Sequence, residues 1–334
     1  MPLSLPSRAW WDAQFPGLAV AGCAALAAQF LSDHYGAPAM LMAILIGMSL
    51  HFLAEETRAR EGIDTAARSV LRIGVALLGL RVSAEMVMAL GWPSLLLVLG
   101  ALAATIGFGL VAARLSGQSR AFGFLTGGAV AICGASAAMA IAAVLPRRGE
   151  AGERDLAFTV VGVTVLSTLA MIVYPILTAR FGLDTRATGL FLGATIHDVA
   201  QVVGAGFSID EPTGELSTLV KLIRVTALAP VVLIAAIVLR AQGEAGGARP
   251  PLLPGFVIAF LVLAAVNSTG YVPQAVTDLA AASSRWALLT AIAAVGMKSS
   301  LPRLLEVGRP ALALILGETL FLAALVLAGL WLLG

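Results

Sequence analysis

The sequence predicts an all-α polytopic membrane protein, because its composition is apolar and its apolar runs have the length of membrane spans. Hydrophobic residues make up 59% of the 334 positions and charged residues 12%, and the mean hydropathy is +0.96. A soluble globular domain carries about 25% charged residues. Runs long enough to cross about 30 Å of hydrocarbon as helices recur along the whole chain. We therefore expect lipid to surround most of the protein, and we do not expect an enzyme.

Window hydropathy predicts about eleven transmembrane helices joined by short connections. The predicted spans are 16–33, 38–54, 69–90, 93–114, 120–145, 156–180, 187–207, 217–240, 253–271, 285–304 and 309–333. With this odd number, twelve basic residues fall on the side of the N-terminus and five on the opposite side. Cytoplasmic loops are enriched in Lys and Arg, so the N-terminus is expected in the cytoplasm and the C-terminus outside. An even number of spans would undo this argument.

The motif content argues against cofactor chemistry and against nucleic-acid binding. The two cysteines, Cys23 and Cys133, lie in apolar segments and cannot build a disulfide framework or a zinc site by themselves. The chain has no Walker-type glycine loop and no dinucleotide fingerprint. We expect neither a cofactor nor a metal, and the net charge of +2 does not indicate a nucleic-acid partner.

Two segments gather small and polar residues in the middle of predicted spans, at 127–138 and 193–204. Small residues allow close helix packing, so one interpretation of the first segment is a tight helix crossing. The other interpretation is an interrupted helix. In that case Gly134 ends one half-helix, and the N–H groups of Ala135 and Ser136 begin the next and offer a positive dipole end to an anion.

Charged residues inside predicted spans need a partner, water or a functional site, because a charge in hydrocarbon is costly. Asp198, Lys221, Arg224, Arg81 and Lys298 are the charged residues that cannot be assigned to loops. One interpretation is that Asp198 pairs with Lys221 or Arg224 and joins two helices. The other is that the cations face a cavity and hold a dianion while Asp198 or its neighbour exchanges a proton.

The neighbouring His197 shares a helical face with Gln201, and its ordinary titration range suits proton coupling. A histidine in a membrane helix is equally compatible with hydrogen-bonded packing. The sequence alone leaves both interpretations open.

An internal match relates residues 79–93 to residues 296–310, with a glycine, a cation, a serine, a glycine and a proline at corresponding positions. The match pairs the third predicted span with the tenth. An odd number of spans separates the two copies, as expected for an inverted repeat of a transporter. Chance similarity between glycine-rich membrane helices is the competing explanation.

The motifs of the chain together resemble the YeiH-type sulfate exporter family. They are Ala131-Ile-Cys-Gly-Ala-Ser-Ala137, Thr195-Ile-His-Asp-Val-Ala-Gln-Val-Val203, Lys221-Leu-Ile-Arg224 and Gly296-Met-Lys298. Asp198 stands where many members carry glutamate. The resemblance implies a bacterial plasma-membrane protein, related in fold to bile-acid:sodium symporters and sodium/proton antiporters.

In those folds two inverted repeats place crossed, interrupted helices at the membrane centre. The resemblance therefore implies an additional first span at 1–37, repeat one at 38–182 and repeat two at 183–334, in one transmembrane domain. It also puts the helix breaks near Gly134 and Gly296. This pairing of spans differs from the internal match at 79–93, and we prefer it.

The resemblance implies secondary transport of a small anion such as sulfate or sulfite by alternating access, coupled to H⁺ or Na⁺. The expected substrate-binding residues are Cys133, Gly134, Ala135, Ser136, Gly296, Lys298, Ser299 and Ser300. The expected coupling or gating residues are His197, Asp198, Gln201, Lys221 and Arg224. A sodium-coupled carrier of organic sulfonates or carboxylates is the alternative, and a non-transporting membrane sensor or scaffold is the alternative of another class. By analogy with the fold, a homodimer is expected.

Overall fold

The computed structural model describes residues 8–55, 58–82, 84–146, 150–241, 254–299 and 309–333, and these residues form helices and turns without a strand. The α-helices are α1 (Arg8–Tyr35), α2 (Ala39–Ser49), α3 (Arg60–Thr65), α4 (Leu71–Leu78), α5 (Ala84–Leu115), α6 (Arg120–Ala131), α7 (Ala135–Val144), α8 (Glu150–Arg180), α9 (Thr185–Thr195), α10 (Val199–Phe207), α11 (Glu211–Thr226), α12 (Leu228–Ala241), α13 (Gly255–Ser268), α14 (Gln274–Lys298) and α15 (Arg309–Leu333). The prediction of an all-α protein is confirmed for these residues.

Six helices in the described part of the chain are long and apolar enough to cross a membrane. They are Trp10–Tyr35, Leu90–Leu115, Glu150–Arg180, Glu211–Leu239, Gln274–Lys298 and Leu312–Leu333. Three further apolar helices are shorter, at Ala39–Ser49, Ala135–Val144 and Gly255–Ser268. The predicted spans 120–145 and 187–207 each consist of two helices with a turn between them. The count of about eleven spans therefore stays a prediction.

The chain divides into two compact units whose segments alternate along the sequence. Unit 1 contains residues 1–83, 207–209 and 259–300, and unit 2 contains residues 84–206, 210–258 and 301–334. Neither unit begins or ends at the predicted repeat boundary between residues 182 and 183. The two inverted repeats, like the internal match at 79–93, stay predictions.

Unit 1 is held together by close packing at glycines. A Cβ at Gly296 of α14 would lie 2.5 Å from the Ile44 carbonyl oxygen and 3.0 Å from the Gly47 Cα of α2. Only a glycine allows these two helices to approach so closely. Helix α14 continues through Gly296 and ends at Lys298, so the predicted helix break near Gly296 stays a prediction. Within α14 the glycine allows the close crossing with α2.

Unit 2 contains two interrupted helices, formed by α6 with α7 and by α9 with α10. Helix α11 packs along α9, and α15 contacts α5, α6, α8 and α9. Glycines again permit close contacts, since a Cβ at Gly127 of α6 would lie 3.3 Å from the Gly109 Cα of α5. The polar residues of this unit meet where the two interrupted helices change direction.

Candidate functional site

The first interrupted helix breaks at the predicted glycine. Helix α6 ends at Ala131, residues 132–134 form a turn, and α7 begins at Ala135. Gly134 has φ 63° and ψ −130°, a conformation outside the left-handed helical region that costs a residue with a Cβ about 1–3 kcal/mol. The sequence Ile132-Cys133-Gly134 therefore ends one helix and starts another because its third residue is glycine.

The second break lies at Ile196–Asp198, between α9 and α10. It is next to the first break, because a Cβ at Gly134 would lie 3.7 Å from the carbonyl carbon, the carbonyl oxygen and the Cβ of His197. The resemblance implied two crossed, interrupted helices. Unit 2 contains two adjacent interrupted helices, of which the second is the α9–α10 helix, and the break near Gly296 stays a prediction.

Lys221 and Arg224 of α11 reach both breaks and bond to backbone carbonyls. The Lys221 Nζ donates to the carbonyl oxygens of Ile132 and Ile196, each at 2.8 Å. The Arg224 guanidinium donates five hydrogen bonds of 2.6–3.1 Å. Its acceptors are the carbonyl oxygens of Val130, Ala131, Gly193 and Ile196. Both side chains are almost fully buried, with exposed fractions of 0% and 1%.

These contacts explain how two cations are tolerated in the interior of a membrane protein. The last carbonyls of a helix have no partner within the helix and form the negative end of its dipole. Here the carbonyl ends of α6 and α9 converge, and Lys221 and Arg224 supply the compensating positive charge. An arginine has five N–H donors, so Arg224 is fully engaged by its five bonds. Lys221 uses two of its three donors and retains one.

Asp198 does not form an ion pair with either cation, although both lie in the same site. Its Oδ1 accepts a hydrogen bond of 3.4 Å from the N–H of Ala200, and the N–H of Asp198 donates to the Ser167 Oγ at 3.0 Å. The carboxylate thus caps the first turn of α10, as aspartate commonly does. Among the described residues Asp198 makes no direct contact with Lys221 or Arg224, and the interpretation in which it pairs with one of them stays a prediction.

The remaining predicted residues of the second break are buried. The His197 ring is fully buried, and its Nε2 lies 2.9 Å from the Thr319 Oγ1 of α15. Gln201 of α10 is 2% exposed, and its Oε1 has no hydrogen-bond partner among the described residues. These contacts fix the second break against α15.

The N-terminus of α7 has no acidic cap, whereas the N-terminus of α10 is capped by the carboxylate of Asp198. The N–H of Ala138 donates to the Gly134 carbonyl oxygen at 3.0 Å. Ala135 and Ser136 occupy the first positions of the helix, whose N–H groups have no partner within a helix. Ser136 is exposed and Cys133 is buried. The first break therefore presents two amide donors and one hydroxyl at the positive end of α7.

The structure separates the predicted substrate-binding residues into two groups. Cys133, Gly134, Ala135 and Ser136 belong to unit 2, whereas Gly296, Lys298 and Ser299 belong to unit 1. The Lys298 Nζ forms an ion pair with Asp64, and the Ser299 Oγ donates to the Val295 carbonyl oxygen at 2.9 Å. Ser300 lies outside the described residues.

Three polar residues near the breaks were not singled out as site residues from the sequence: Ser167, Thr319 and Glu318. The Ser167 hydroxyl accepts a hydrogen bond of 3.0 Å from the N–H of Asp198. Glu318 is fully buried in α15, and its Oε1 accepts a hydrogen bond of 2.8 Å from the Thr126 Oγ1 of α6. Its signal in the sequence is an acid inside the apolar run of residues 312–333. Among the described residues, no group of three His, Cys, Asp or Glu side chains is arranged to hold a metal.

Comparison with known proteins gives a family. A family profile described as "Conserved hypothetical protein 698" matches residues 16–315. The chain is 62% identical to the "UPF0324 membrane protein TauZ" of Paracoccus pantotrophus, over 99% of this chain and 98% of that protein. The protein of the same name from Paracoccus denitrificans is also 62% identical over the same shares.

A "UPF0324 membrane protein" of Chlorobaculum tepidum is 51% identical, over 95% of this chain and 89% of that protein. No solved structure matches the chain. The resemblance to the YeiH-type sulfate exporter family is not expressed in these names and stays a prediction. The chain belongs to the family of UPF0324 membrane proteins that is described as "Conserved hypothetical protein 698".

Proposed function

We propose that the protein is a secondary active transporter that carries a small anion by alternating access. The observation that carries this proposal is the meeting of two interrupted helices, with their carbonyl ends neutralised by Lys221 and Arg224 and with the amide end of α7 open. Interrupted membrane helices are a common way for transporters to form substrate and ion sites, because their free ends present unpaired backbone groups.

The anion-binding position in this proposal is the start of α7. The N–H groups of Ala135 and Ser136 and the Ser136 hydroxyl are donors, and the positive end of the helix favours negative charge. Cys133 and Gly134 shape this turn. Lys221 contributes the positive charge of its ammonium group and the one donor that the two carbonyls leave unused.

Lys221 and Arg224 also suit the proposed role in gating. They bond to the carbonyl ends of both α6 and α9, so any separation of the two interrupted helices breaks hydrogen bonds to one of them. His197, Asp198 and Gln201 belong to the second break and would move with it. A second group of residues stays a proposed part of the substrate path, although none of its described contacts supports that role. The group consists of Gly296, Lys298, Ser299 and Ser300.

The proposed substrates are sulfate and sulfite, with organic sulfonates as the second candidate. The name TauZ of the two Paracoccus relatives hints at a role related to taurine, which is an aminosulfonate. A sulfonate group carries three oxygens on a tetrahedral sulfur, so it offers the same acceptors to a helix N-terminus as sulfate does. The ammonium group of taurine would require a carboxylate or carbonyl partner, and this requirement distinguishes the two candidates.

In this proposal the protein resides in the bacterial plasma membrane, with its N-terminus in the cytoplasm and its C-terminus in the periplasm. A homodimer and outward transport belong to the same proposal. The alternative of another class, a membrane sensor or scaffold that carries nothing across, predicts no flux under any gradient.

The test is flux of radiolabelled sulfite and sulfate in proteoliposomes, with and without an imposed pH or sodium gradient and with taurine as a competitor. We expect saturable, gradient-sensitive flux in the wild type. Ser136→Asp places a negative charge at the start of α7 and is expected to abolish flux. Ser136→Asn introduces a side chain of the same size as aspartate but without the charge, and it should retain much of the flux. Equal flux in these two variants would exclude the α7 site, and absence of flux in folded wild-type protein would favour the sensor or scaffold.

A further inference from the structure

Glu318 is a buried carboxyl group without a charged partner. It lies in the span Leu312–Leu333, about 9 Å along the axis from Leu312 at 1.5 Å per residue. Its exposed fraction is 0%. Its Oε1 accepts from the Thr126 hydroxyl at 2.8 Å, and its Oε2 is buried with no hydrogen-bond partner among the described residues.

The described residues of the helices around Glu318 place no counter-ion beside it. Helix α15 packs against α5, α6, α8 and α9. The other charged residues of these helices lie near the helix ends, and none of those described pairs with Glu318. They are Glu85, Arg114, Arg120, Glu150, Glu153, Arg154, Asp155, Arg180 and Arg186. Tyr174 of α8 packs on Phe191, and Arg309 is the first residue of α15, nine residues before Glu318. His197, a titratable residue of the second break, bonds to Thr319, which follows Glu318 in sequence.

An ionised carboxylate is costly to bury without a cation, and a proton is the smallest counter-ion that can neutralise it. The surroundings suit a proton better than a metal ion. A Cβ at Gly109 would lie 2.6 Å from Glu318 Oε1, so the α5 backbone already closes that side. A sodium ion would need several oxygen ligands, whereas the side-chain ligands on hand are the carboxylate and the Thr126 hydroxyl.

Glu318 is also connected to both helix breaks. Its partner Thr126 lies in α6, five residues before Ala131, where α6 ends and the first break begins. The next residue of α15, Thr319, bonds to His197 in the second break at 2.9 Å. A change in the charge of Glu318 therefore acts on the two interrupted helices through neighbouring residues of one rigid helix.

We propose that Glu318 is a proton-binding site whose protonation couples proton movement to the opening of the two helix breaks. This inference rests on the proposed transport function, for which it names the coupling ion. The carboxylate takes up a proton from water on one side of the membrane while the breaks are rearranged, and releases it on the other side. Glu318→Gln removes the titration and preserves the size and the acceptor for Thr126.

The first experiment compares two modes of radiolabelled sulfite transport in proteoliposomes. Glu318→Gln is expected to retain exchange at equal pH on both sides and to lose accumulation driven by a pH gradient. Glu318→Asp retains a carboxyl group and should retain part of the coupling. The matched control is Glu153→Gln, which makes the same change at an exposed position of α8 and should behave as the wild type.

The second experiment does not require a substrate. Infrared difference spectra of the purified protein are recorded between two buffers that both lie above the pH range in which exposed carboxyl groups titrate. They should contain the carbonyl band of a protonated carboxylic acid, which Glu318→Gln loses and Glu153→Gln keeps. Persistence of that band in Glu318→Gln, or full pH-driven accumulation by this variant, would overturn the proton site. Absence of any wild-type flux overturns the proposed function itself, and the spectra distinguish that failure from failure of the proton site.

Discussion

The two helix breaks of unit 2 have similar carbonyl ends and different amide ends. At the carbonyl ends, Lys221 and Arg224 bond to the last turns of both α6 and α9. At the amide ends, α10 is capped by the carboxylate of Asp198, whereas α7 follows the neutral residue Gly134 and begins with exposed Ser136 among its first residues. The same crossing thus contains one terminus that an acid already occupies and one that remains free for an anion.

This difference indicates a division of work between the breaks. A negative charge is stabilised by about 0.3–1 kcal/mol at an exposed helix N-terminus and by up to about 2 kcal/mol in partly buried positions. Asp198 uses that stabilisation at α10. At α7 it is left for a ligand, so we expect substrate to bind at the first break and conformational change to involve the second.

The largest effect is expected from Arg224→Met, which affects both breaks at once. The carbonyls of Val130, Ala131 and Gly193 lose their Arg224 partner, and each buried acceptor left unsatisfied costs about 1–3 kcal/mol. The melting temperature in detergent should fall sharply, or the variant should fail to fold. Arg224→Lys keeps the charge with fewer donors and should be intermediate. Arg154→Met, at an exposed position of α8, is the control, and equal melting of the two methionine variants would contradict the capping role.

A smaller effect is expected from Gly134→Ala, which affects the first break alone. An added Cβ would meet only ordinary contacts at 3.7 Å, so the cost arises from the backbone conformation, with φ 63° and ψ −130°, and is about 1–3 kcal/mol. The measurements are thermal unfolding and flux of the folded protein. Gly182→Ala has a similar φ of 65° in a turn with open space around it, and comparison of the two separates backbone strain from damage to the site. Loss of flux is expected only for Gly134→Ala.

The smallest effect is expected from Asp198→Asn, which makes the second break resemble the first in charge. Asparagine caps a helix nearly as well as aspartate, so stability should change little. Removal of the negative charge should strengthen anion binding by about 0.3–1 kcal/mol. Titration of the purified variant with sulfite by calorimetry checks this expectation. Weaker anion binding in Asp198→Asn would indicate that the carboxylate helps to hold the substrate, contrary to the division of work between the breaks.

Much of the first break could be predicted from the sequence, and little of the second. Gly134 follows Cys133 in the middle of an apolar span, and a glycine among small residues is a local signal for a break. The second break contains no glycine at its turn, which consists of Ile196, His197 and Asp198. Gly296 gave a signal similar to that of Gly134, yet it lies inside α14 and packs against α2. Glycine serves both purposes, and composition does not distinguish them.

The sequence by itself determined that the chain is helical and apolar, that the segment around Gly134 is either a tight helix crossing or an interrupted helix, and that Lys221 and Arg224 share a helical face. Those properties follow from side-chain polarity, from the freedom of glycine and from helical spacing, all of which are local. The tertiary structure alone decided what the two cations contact. Their acceptors are backbone carbonyls 25 to 94 residues away, and a carbonyl has no sequence signature because every residue carries one. The same holds for Glu318, whose buried environment arises only when α5, α6 and α15 pack together.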